Sequence, residues 1–482
     1  MATTIDSASL SLRAEGYPLS LGHYDEVFAG TGVPRSPCVE VMNALAQLDL
    51  SALRERVQIA SARIGLSFGL GTPIAIDPIP RVIAAAEWAS IEAALLQRTR
   101  ALNAFVADAY NDQKIFEAGV VPRRLLETSA GYEPCMRGLL DPSAPAAAVA
   151  GFDLVRDADG ELLVLEDNLR MPSGAAYATA LRRLVEPALT ASIEPLPLDS
   201  YPAALARTLG GGQRERAGGE TAAIVSDGPS SGAWFEHREL GRALELPVIT
   251  AGELESARGR LYFRIARERC PIDAIYRRVD GDRLSEPDGS LTALGELLMP
   301  ALRAGRLRCI NAFGTGIGDD KLAHAYLDRF VRFYLGEEPL LRSVRSYDLG
   351  DEAELKVALE RLEELVIKPR DGFGGRGVTI MSRVDPRTRS EVEDQVRLDP
   401  ARFVAQETVA LSTHPTVCDG RLEPRHVDLR PFVVSGRGWM EAMAGGLTRF
   451  APAAGEMIVN SSRGGGCKDT WVIATADSGE TP

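Results

Sequence analysis

The sequence predicts an α/β fold with α+β character, and three patterns carry this prediction. Beyond residue 221, short apolar runs alternate with helical patterns, which is typical of an open parallel sheet. Two strand-like runs, Ala148–Leu154 and Glu161–Asp167, are joined by an Asp- and Gly-rich turn that favours a hairpin. Two more strand-like runs, Leu365–Lys368 and Val378–Met381, enclose a glycine-rich loop. The chain is therefore expected to combine a parallel unit with antiparallel hairpins.

The composition is that of a folded chain with more than one domain. Its 482 residues are enough for two or three domains, and 45% hydrophobic with 25% charged residues is ordinary for a globular protein. The net charge of −13 argues against nucleic acid as the main partner, because binding to its backbone needs a basic face. A local basic pocket for an anionic nucleotide remains compatible with this charge.

The sequence predicts neither export nor a membrane span. The N-terminus lacks a basic segment followed by an apolar core, and no uncharged run approaches the length of a transmembrane helix. The six cysteines are dispersed without a C-x-x-C pair, which indicates free thiols in a reducing compartment. We therefore expect a cytoplasmic protein without a disulfide framework or zinc site.

Helices dominate the predicted N-terminal region. Helical patterning covers Val39–Ile64 and then Ile83–Tyr110. In the second segment, side chains at three- and four-residue steps form one stripe, namely Trp88, Ile91, Leu95, Arg98, Leu102 and Phe105. We interpret this stripe as a packing face rather than a cofactor site.

A polar segment ends the second strand of the hairpin. Side chains alternate between the faces of a strand, so Glu166, Asn168 and Arg170 are expected to project together, away from Asp167 and Leu169. A carboxylate and an amide oxygen at this spacing suit Mg²⁺, and the arginine can hold a phosphoryl group. A structural or surface role for Glu-x-Asn is the equal alternative at this point.

The hairpin also offers a third ligand for a metal ion. It can bring the carboxylate of Asp153 towards Glu166 and Asn168, which would make a cluster of three oxygen donors. The alternative is that Asp153 only caps a strand.

An α/β unit is predicted after a glycine-rich linker, Gly210–Glu220. A helix over Trp234–Leu244 is expected among the strands Thr221–Ser226, Pro247–Thr250 and Ile272–Arg277. A glycine-bearing loop, Asn311–Lys321, then ends in a lysine at the predicted start of another helix.

The glycine loop near residue 374 follows a G-x-G-x-x-G pattern formed by Gly372, Gly374 and Gly377, with Gly375 as a fourth glycine. It lies between strands and not before a helix, and no G-K-[ST] follows, so neither a dinucleotide-binding loop nor a Walker A loop is indicated. A flap whose N–H groups approach nucleotide phosphates explains the pattern, and Lys368 on the entering strand would neutralise charge. A plain glycine-rich hairpin is the alternative.

The segments around the flap complete this prediction. A helix is expected over Asp351–Leu365, where Asp351 and Glu354 resemble a capping pair. After the flap, Phe403–Val409 is expected to form a strand and then a hinge that offers backbone hydrogen bonds to a base, flanked by Gln406 and Glu407.

Basic residues recur in the last part of this acidic chain. Asp428 and Arg430 are expected on one face of a strand, and Arg449 on another strand. A second glycine loop with basic residues spans Asn460–Lys468. Together with the two lysines already named, 321 and 368, these residues indicate an anion site.

These motifs resemble the ATP-grasp superfamily and, within it, the circularly permuted branch related to the ligase domains of glutathionylspermidine synthase. In ordinary ATP-grasp ligases the flap and hinge precede the Glu-x-Asn strand, whereas here Glu166 and Asn168 come before the flap. The resemblance extends from around Tyr24 to Val472. It rests on the phrases YDEVF, IPRVIAAAEW, VLEDNLRMPSG, YRRVD, GTGIGDDK, STHPTVCDGRLEPRHVDLRPFV and GGLTRF.

The resemblance implies ATP and Mg²⁺ as cofactors and a role for each motif. The implied metal ligands are Asp153, Glu166 and Asn168, and the implied acyl phosphate stabilisers are Arg170 and Arg430, with Arg449 grouped with them as catalytic. ATP contacts are implied for Lys321, Lys368, Gly372, Gly374, Gly375, Gly377, Gln406, Glu407 and Val409. Candidate substrate contacts are Arg277, Asn460, Arg463, Gly464, Gly465 and Lys468.

The predicted function is that of an ATP-dependent carboxylate–amine ligase that works through an acyl phosphate. The expected partners are a small-molecule carboxylate and an amine of the amino acid, peptide or polyamine class, and a homo-oligomer is left open. A phosphotransferase that needs no amine is one alternative, and an inactive nucleotide-binding scaffold is the other.

Five segments are predicted along the chain. Residues 1–72 form an arm and helical region, and 73–209 hold a helical segment plus the metal-binding strands of the permuted core. Residues 210–330 form an α/β unit like a pre-ATP domain, 331–475 form the nucleotide-binding subdomain with the flap, and 476–482 form a tail.

Overall fold

The structure, a computed structural model, describes residues 16–69, 71–189, 193–210, 221–265, 268–281, 283–372, 376–459 and 464–474. Within these residues the α-helices are, in chain order, α1 (Val39–Ala46), α2 (Leu50–Ile64), α3 (Ala85–Tyr110), α4 (Lys114–Glu117), α5 (Arg124–Thr128), α6 (Ala175–Val185), α7 (Ser200–Thr208), α8 (Trp234–Ala243), α9 (Ala293–Arg303), α10 (Lys321–Ala325), α11 (Leu327–Phe330), α12 (Glu352–Glu360) and α13 (Pro386–Leu398). No helix in the described ranges is both long and apolar enough to cross a membrane.

The strands divide into three larger sheets and three small ones. In chain order they are β1 (Phe28–Gly30), β2 (Val33–Pro34), β3 (Ser67–Phe68), β4 (Thr72–Pro73), β5 (Ile76–Ala84), β6 (Val149–Arg156), β7 (Leu162–Asn168), β8 (Ala222–Ser226), β9 (Val248–Ile249), β10 (Leu254–Ala257), β11 (Arg260–Ile265), β12 (Glu268–Ile272), β13 (Ala274–Arg278), β14 (Arg308–Ile310), β15 (Ser346–Asp348), β16 (Leu365–Pro369), β17 (Thr379–Ile380), β18 (Phe403–Glu407), β19 (Thr413–Cys418), β20 (Arg421–Arg430), β21 (Phe432–Gly436), β22 (Trp439–Ala442), β23 (Leu447–Phe450) and β24 (Gly466–Ile473). The mixture of helix and sheet confirms the predicted fold class.

The main sheet joins distant parts of the chain. Its strand order is β22-β21-β6-β20-β23-β24-β5. In addition, β7 pairs with β6, and β19 pairs with β20. The pairs are antiparallel except for β24 and β5, which run parallel. One face packs on α3 and the other on α6 and α7, because successive residues such as Phe432 and Val433 enter two different apolar clusters.

Strand β5 was not predicted, and it corrects the start of the following helix. The helical pattern was read from Ile83, but Ile83 lies in β5 and a single helix begins at Ala85. The pairing of β5 with β24 shifts register between Asp77 and Arg81, where two prolines remove backbone donors. Nearly the whole strand is buried, so it has no alternation of polar and apolar residues to reveal it.

The predicted hairpin is present as β6 and β7. Asp153 is paired with Glu166, whereas the next residue, Leu154, is paired with Val164. Leu165 is therefore the extra residue of a β-bulge directly before Glu166. Bulges re-aim side chains, and this one sets the direction of the polar end of β7.

The predicted parallel unit is also present. Strands β14, β13, β8 and β9 form a four-stranded parallel sheet in that order. The predicted linker lies almost entirely at residues 211–220, outside the described residues.

A smaller antiparallel sheet has the order β15-β18-β16-β17 and packs against α12 and α13. Helix α12 ends at Glu360, earlier than the predicted Leu365, because Leu365 already belongs to β16. Asp351 caps the helix as expected by accepting hydrogen bonds from the N–H groups of Ala353 and Glu354. The side chain of Glu354 accepts from the N–H of Asp348 instead of closing a capping box.

The strands of residues 331–475 belong to two sheets. Those up to Glu407 form the small sheet, whereas those from Thr413 onward join β5, β6 and β7 in the main sheet. The division of the chain into five segments stays a prediction.

Candidate functional site

A cleft of about 730 Å³ opens where the main sheet, the small sheet and the parallel sheet meet. Its lining includes most of the residues predicted for the site, namely Asp153, Glu166, Asn168, Arg170, Lys321, Lys368, Gly372, Gln406, Glu407, Val409, Arg430 and Arg449. They come from positions as far apart in the sequence as 153 and 449, so the fold gathers them at one place. Gly374 and Gly375 of the flap, and Asn460 and Arg463 of the second loop, lie outside the described residues.

The polar end of β7 has the predicted two faces. Glu166, Asn168 and Arg170 line the cleft, whereas Asp167 and Leu169 are buried behind them. The backbone past the strand is held by Asp319, whose carboxylate accepts hydrogen bonds from the N–H groups of Leu169 at 2.5 Å and Arg170 at 3.0 Å. Burial raises the pKa of Asp319 to about 7, while Arg170 opposes this shift.

Asp153 is bound to two arginines in this structure. Arg430 donates to it through Nε at 2.6 Å and Nη2 at 2.7 Å, and Arg449 donates through Nη2 at 2.9 Å. Burial alone would raise the pKa of Asp153, but the two guanidinium groups hold it well below its ordinary value. Asp428 is a second anchor for Arg449, and burial raises the pKa of Asp428.

This arrangement makes Asp153 an anchor for the arginines. A carboxylate has about four lone-pair positions, and three N–H groups already point at those of Asp153. A metal ion could bind Asp153 only at the one lone-pair position that remains. Glu166 and Asn168 are less engaged, so the metal prediction rests mainly on these two residues.

The predicted metal set contains two acidic side chains and one amide. Among the described residues, no group of three or more His, Cys, Asp and Glu side chains is arranged to hold a metal ion. The buried amide nitrogen of Asn168 has no hydrogen-bond partner among the described residues. The amide can therefore turn to present its oxygen to a cation without breaking a bond at that nitrogen, which fits a Mg²⁺ ligand.

Two lysines, Lys321 and Lys368, also line the cleft. The ammonium group of Lys321 lies 3.2 Å from Glu166 Oε1 and donates to the carbonyl oxygen of Gly372 at the root of the flap. Lys368 is buried and donates to Gln406 Oε1. Burial lowers the pKa of Lys368 to about 8, against the attraction of Glu166. Both charges face the place where anionic groups would lie.

An apolar slot continues the cleft beside the lysines. It is lined by Leu165, Val366, Ile380, Val409, Leu411, Met457, Ile458 and Val459. The side chain of Gln406 is held by Lys368 and Ser346, and Glu407 accepts from Tyr347 and Arg361. The backbone N–H groups of Glu407 and Thr408 are also paired, with the carbonyl oxygens of Arg345 and Glu364. The contact of the hinge with a base stays a prediction.

Two of the predicted substrate residues, Arg277 and Lys468, have buried side chains. Arg277 is buried and donates to the carbonyl oxygens of Asn311 at 3.3 Å and Arg170 at 3.2 Å. Lys468 is completely buried, where it is paired with Asp77 and donates to the Pro415 carbonyl at 3.0 Å. Neither residue is among those that line the cleft, and their contact with a substrate stays a prediction.

Three predicted glycines of the two loops, Gly377, Gly464 and Gly465, lie among the described residues. Gly377 has a φ of 73° and follows the part of the flap outside the described residues. Gly464 is exposed with a φ of 87°, and Gly465 is buried just before β24. Their predicted contacts with nucleotide and substrate stay predictions.

Sequence reasoning missed Glu236, a side chain that supports the cleft. Glu236 on α8 accepts hydrogen bonds from the N–H groups of Gly174 at 2.7 Å and Ala176 at 3.1 Å, where α6 begins. It also lies 3.2 Å from the guanidinium group of Arg278, which donates to the Pro172 carbonyl at 2.8 Å. Glu236 carried no signal, because a lone glutamate on a predicted surface helix is ordinarily solvated.

Comparison with known proteins identifies the family. Residues 80–451 match the family described as circularly permuted ATP-grasp type 2. The chain is 36% identical over 468 residues to an uncharacterised protein of Synechocystis sp., with 93% of this chain and 97% of that protein covered.

Two similar proteins carry a ligase name. The chain is 40% identical to "putative glutamate–cysteine ligase 2-2" of Frankia casuarinae and 41% identical to "putative glutamate–cysteine ligase 2-3" of Frankia alni. In both cases 93% of this chain is covered, but only 53% and 54% of the relatives, so the chain spans about half of their length. The family and these names support the predicted enzyme class, an ATP-grasp ligase. The chain belongs to the circularly permuted ATP-grasp type 2 family.

Proposed function

We propose that the protein is an ATP-dependent carboxylate–amine ligase that forms an amide bond through an acyl phosphate. The observation that carries the proposal is the order of chemistry along one cleft. The same cleft is lined by apolar residues, by Lys321 and Lys368, by Glu166 and Asn168, and by the arginine group around Asp153. Lys321 lies 3.2 Å from Glu166, and Glu166 is paired with Asp153 across the hairpin, so these groups follow one another. This order fits a base, a phosphate chain, a metal ion and a reacting carboxylate in turn.

The chain's own residues would act mainly by positioning and charge. Lys321 and Lys368 would bind the phosphates, and Arg170 and Arg430 would attract the substrate carboxylate next to them. The carboxylate oxygen attacks the γ-phosphorus, the bond to ADP breaks, and an acyl phosphate forms. The amine nitrogen then attacks the acyl carbon, phosphate leaves, and the amine loses a proton. Electrostatic stabilisation by fixed cations is the largest contribution in reactions of this kind.

Mg²⁺ fits the residues present. Glu166 and Asn168 would hold it, with Asp153 able to offer at most one remaining lone-pair position. When bound, the ion would neutralise phosphate charge during transfer. The arginines around Asp153 do not depend on the metal, because their hydrogen bonds run to carboxylates of the chain.

The substrates are proposed only as a class. The two Frankia relatives favour amino acids, and glutamate with cysteine is the first pair to test. The relatives that carry this name are about twice as long as the region that matches this chain. Glutamate and cysteine are therefore the first substrates to test, and they are not assigned to this protein.

A screen of acids and amines tests the proposal. The purified protein is incubated with ATP, Mg²⁺ and pools of both, phosphate release is measured, and products are identified by mass spectrometry. A ligase requires both an acid and an amine and yields an amide. Release with an acid alone, giving a stable phosphorylated product, would support the phosphotransferase alternative. Nucleotide binding without turnover for any acceptor would support an inactive scaffold.

The lowered pKa of Lys368 predicts a pH dependence of nucleotide binding. Only the protonated lysine attracts phosphate, so affinity for Mg²⁺–ADP should be constant near pH 7 and fall as pH rises through about 8. Phosphate itself titrates near pH ~6 and does not contribute in this range. Calorimetric titration between neutral and alkaline pH measures the effect. Lys368→Arg should flatten the profile, and an unchanged profile in that variant would mean that another group titrates.

A further inference from the structure

The strand that carries Glu166 and Asn168 has a buried charge on its other face. Asp167 lies between these two residues in the sequence and is buried. Its carboxylate accepts from Arg98 through Nε at 2.5 Å and Nη2 at 2.8 Å, and from His324 Nδ1 at 2.7 Å. Asp167 is thus held by side chains from two other elements, α3 and α10.

The direction of the hydrogen bond at His324 follows from this contact. A carboxylate paired with a guanidinium group accepts hydrogen bonds, so Nδ1 of His324 donates to Asp167. Nε2 is buried without a partner among the described residues.

Helix α10 and strand β7 are connected at two adjacent positions. Lys321 and His324 are three residues apart on α10, so their side chains lie on the same side of the helix. Lys321 reaches Glu166 at 3.2 Å on the cleft side of β7, and His324 reaches Asp167 at 2.7 Å on the buried side. Any shift of α10 along the strand would change both contacts together.

His324 also lies directly behind the two lysines of the cleft. It borders a closed space of about 10 Å³ together with Lys321, Lys368 and Gln406. The pair of Asp167 and His324 therefore supports the two lysines by its position.

We propose that Asp167 and His324 are positioning residues for nucleotide binding: they fix α10 against β7 and so set Lys321 relative to Glu166. The proposal rests on the proposed function, because it assigns Lys321 to the phosphates. Neither residue touches the nucleotide. Partners of this kind, one layer behind the binding groups, contribute about 10–100-fold to affinity or activity in metal sites.

The test compares nucleotide affinity in variants of His324. Binding of Mg²⁺–ADP is measured by calorimetry, together with the free energy of unfolding. His324→Ala should weaken binding at least about tenfold. His324→Asn should restore most of the affinity, because its amide nitrogen can take the place of Nδ1 as donor to Asp167. The control is His426→Ala, which removes another buried histidine, one whose Nδ1 lies 3.2 Å from the Ser412 carbonyl oxygen away from the cleft.

The outcomes separate this proposal from the proposed function. If the parent protein binds no nucleotide, the proposed function fails. If the parent binds and His324→Ala binds equally well, or no worse than His426→Ala, the positioning role is wrong. If His324→Ala does not fold, His324→Asn and His324→Gln are compared, since glutamine places its nitrogen near Nε2 instead. Equal affinity of these two variants would also overturn the proposal.

Discussion

Replacing Glu166 with alanine should lower the rate of ATP turnover by a factor of about 10²–10³ while the protein stays folded. Glu166 is the carboxylate on the cleft face of β7, and it contacts the ammonium group of Lys321. Its side chain is 31% exposed, so its removal leaves no large cavity, although the buried ammonium group of Lys321 loses its counter-charge. The rate of phosphate release and the midpoint of urea unfolding measure the two quantities separately.

Glu441 provides the matched control for this variant. Glu441 lies on strand β22, away from the cleft lining. Its side chain is 33% exposed and is paired with Arg207. Glu441→Ala should keep full turnover and a similar unfolding midpoint. If Glu166→Ala also keeps full turnover, the assignment of Glu166 to the metal ion is wrong, and a different carboxylate must supply that ligand.

Replacing Lys468 with methionine should destabilise the fold by about 3–5 kcal/mol, because it leaves the buried carboxylate of Asp77 without its counter-charge. Both side chains are almost fully buried, with 0% and 1% exposure. Lys468 on β24 and Asp77 on β5 face each other across the parallel pair, so the change acts where the main sheet is completed. Urea unfolding followed by circular dichroism measures the loss.

An exposed pair of the same type is the control for Lys468. Lys114 and Asp112 form an ion pair in which both side chains are largely exposed, and Lys114→Met should leave the unfolding midpoint unchanged. Nucleotide and substrate binding per folded molecule should also be unchanged in Lys468→Met. Normal stability together with weakened substrate binding in this variant would support the substrate role that the sequence predicted for Lys468.

The sequence predicted the face of β7 and the parallel unit because each depends on a local pattern. Alternation along a strand placed Glu166, Asn168 and Arg170 together, and the bulge at Leu165 did not disturb it. The prediction that these residues approach Lys321 and Lys368 depended on the resemblance, since no local pattern relates positions that far apart. The family match confirms that resemblance.

The partners of individual charges could not be predicted in the same way. A lysine in a glycine loop and an arginine at a strand end have the same appearance in a sequence whether they face a ligand or a buried aspartate. Lys468 is paired with Asp77, which lies in β5, and no sequence pattern indicated this strand. Asp153 was expected to hold a metal ion, but its arginine partners lie almost 300 residues later, where only the folded sheet brings them close.

The parallel pairing of β5 with β24 has a consequence for how the protein folds during synthesis. The two strands are separated by nearly the whole length of the chain, so closing this contact has a high entropic cost and is intrinsically slow. Strand β23, which carries Arg449, is held between β20 and β24. On a ribosome the hairpin of β6 and β7 would emerge early, whereas the strand that carries Arg449 can be fixed only after residue 473 has been made. A nascent chain should therefore be unable to bind nucleotide productively until residue 473 has left the ribosome.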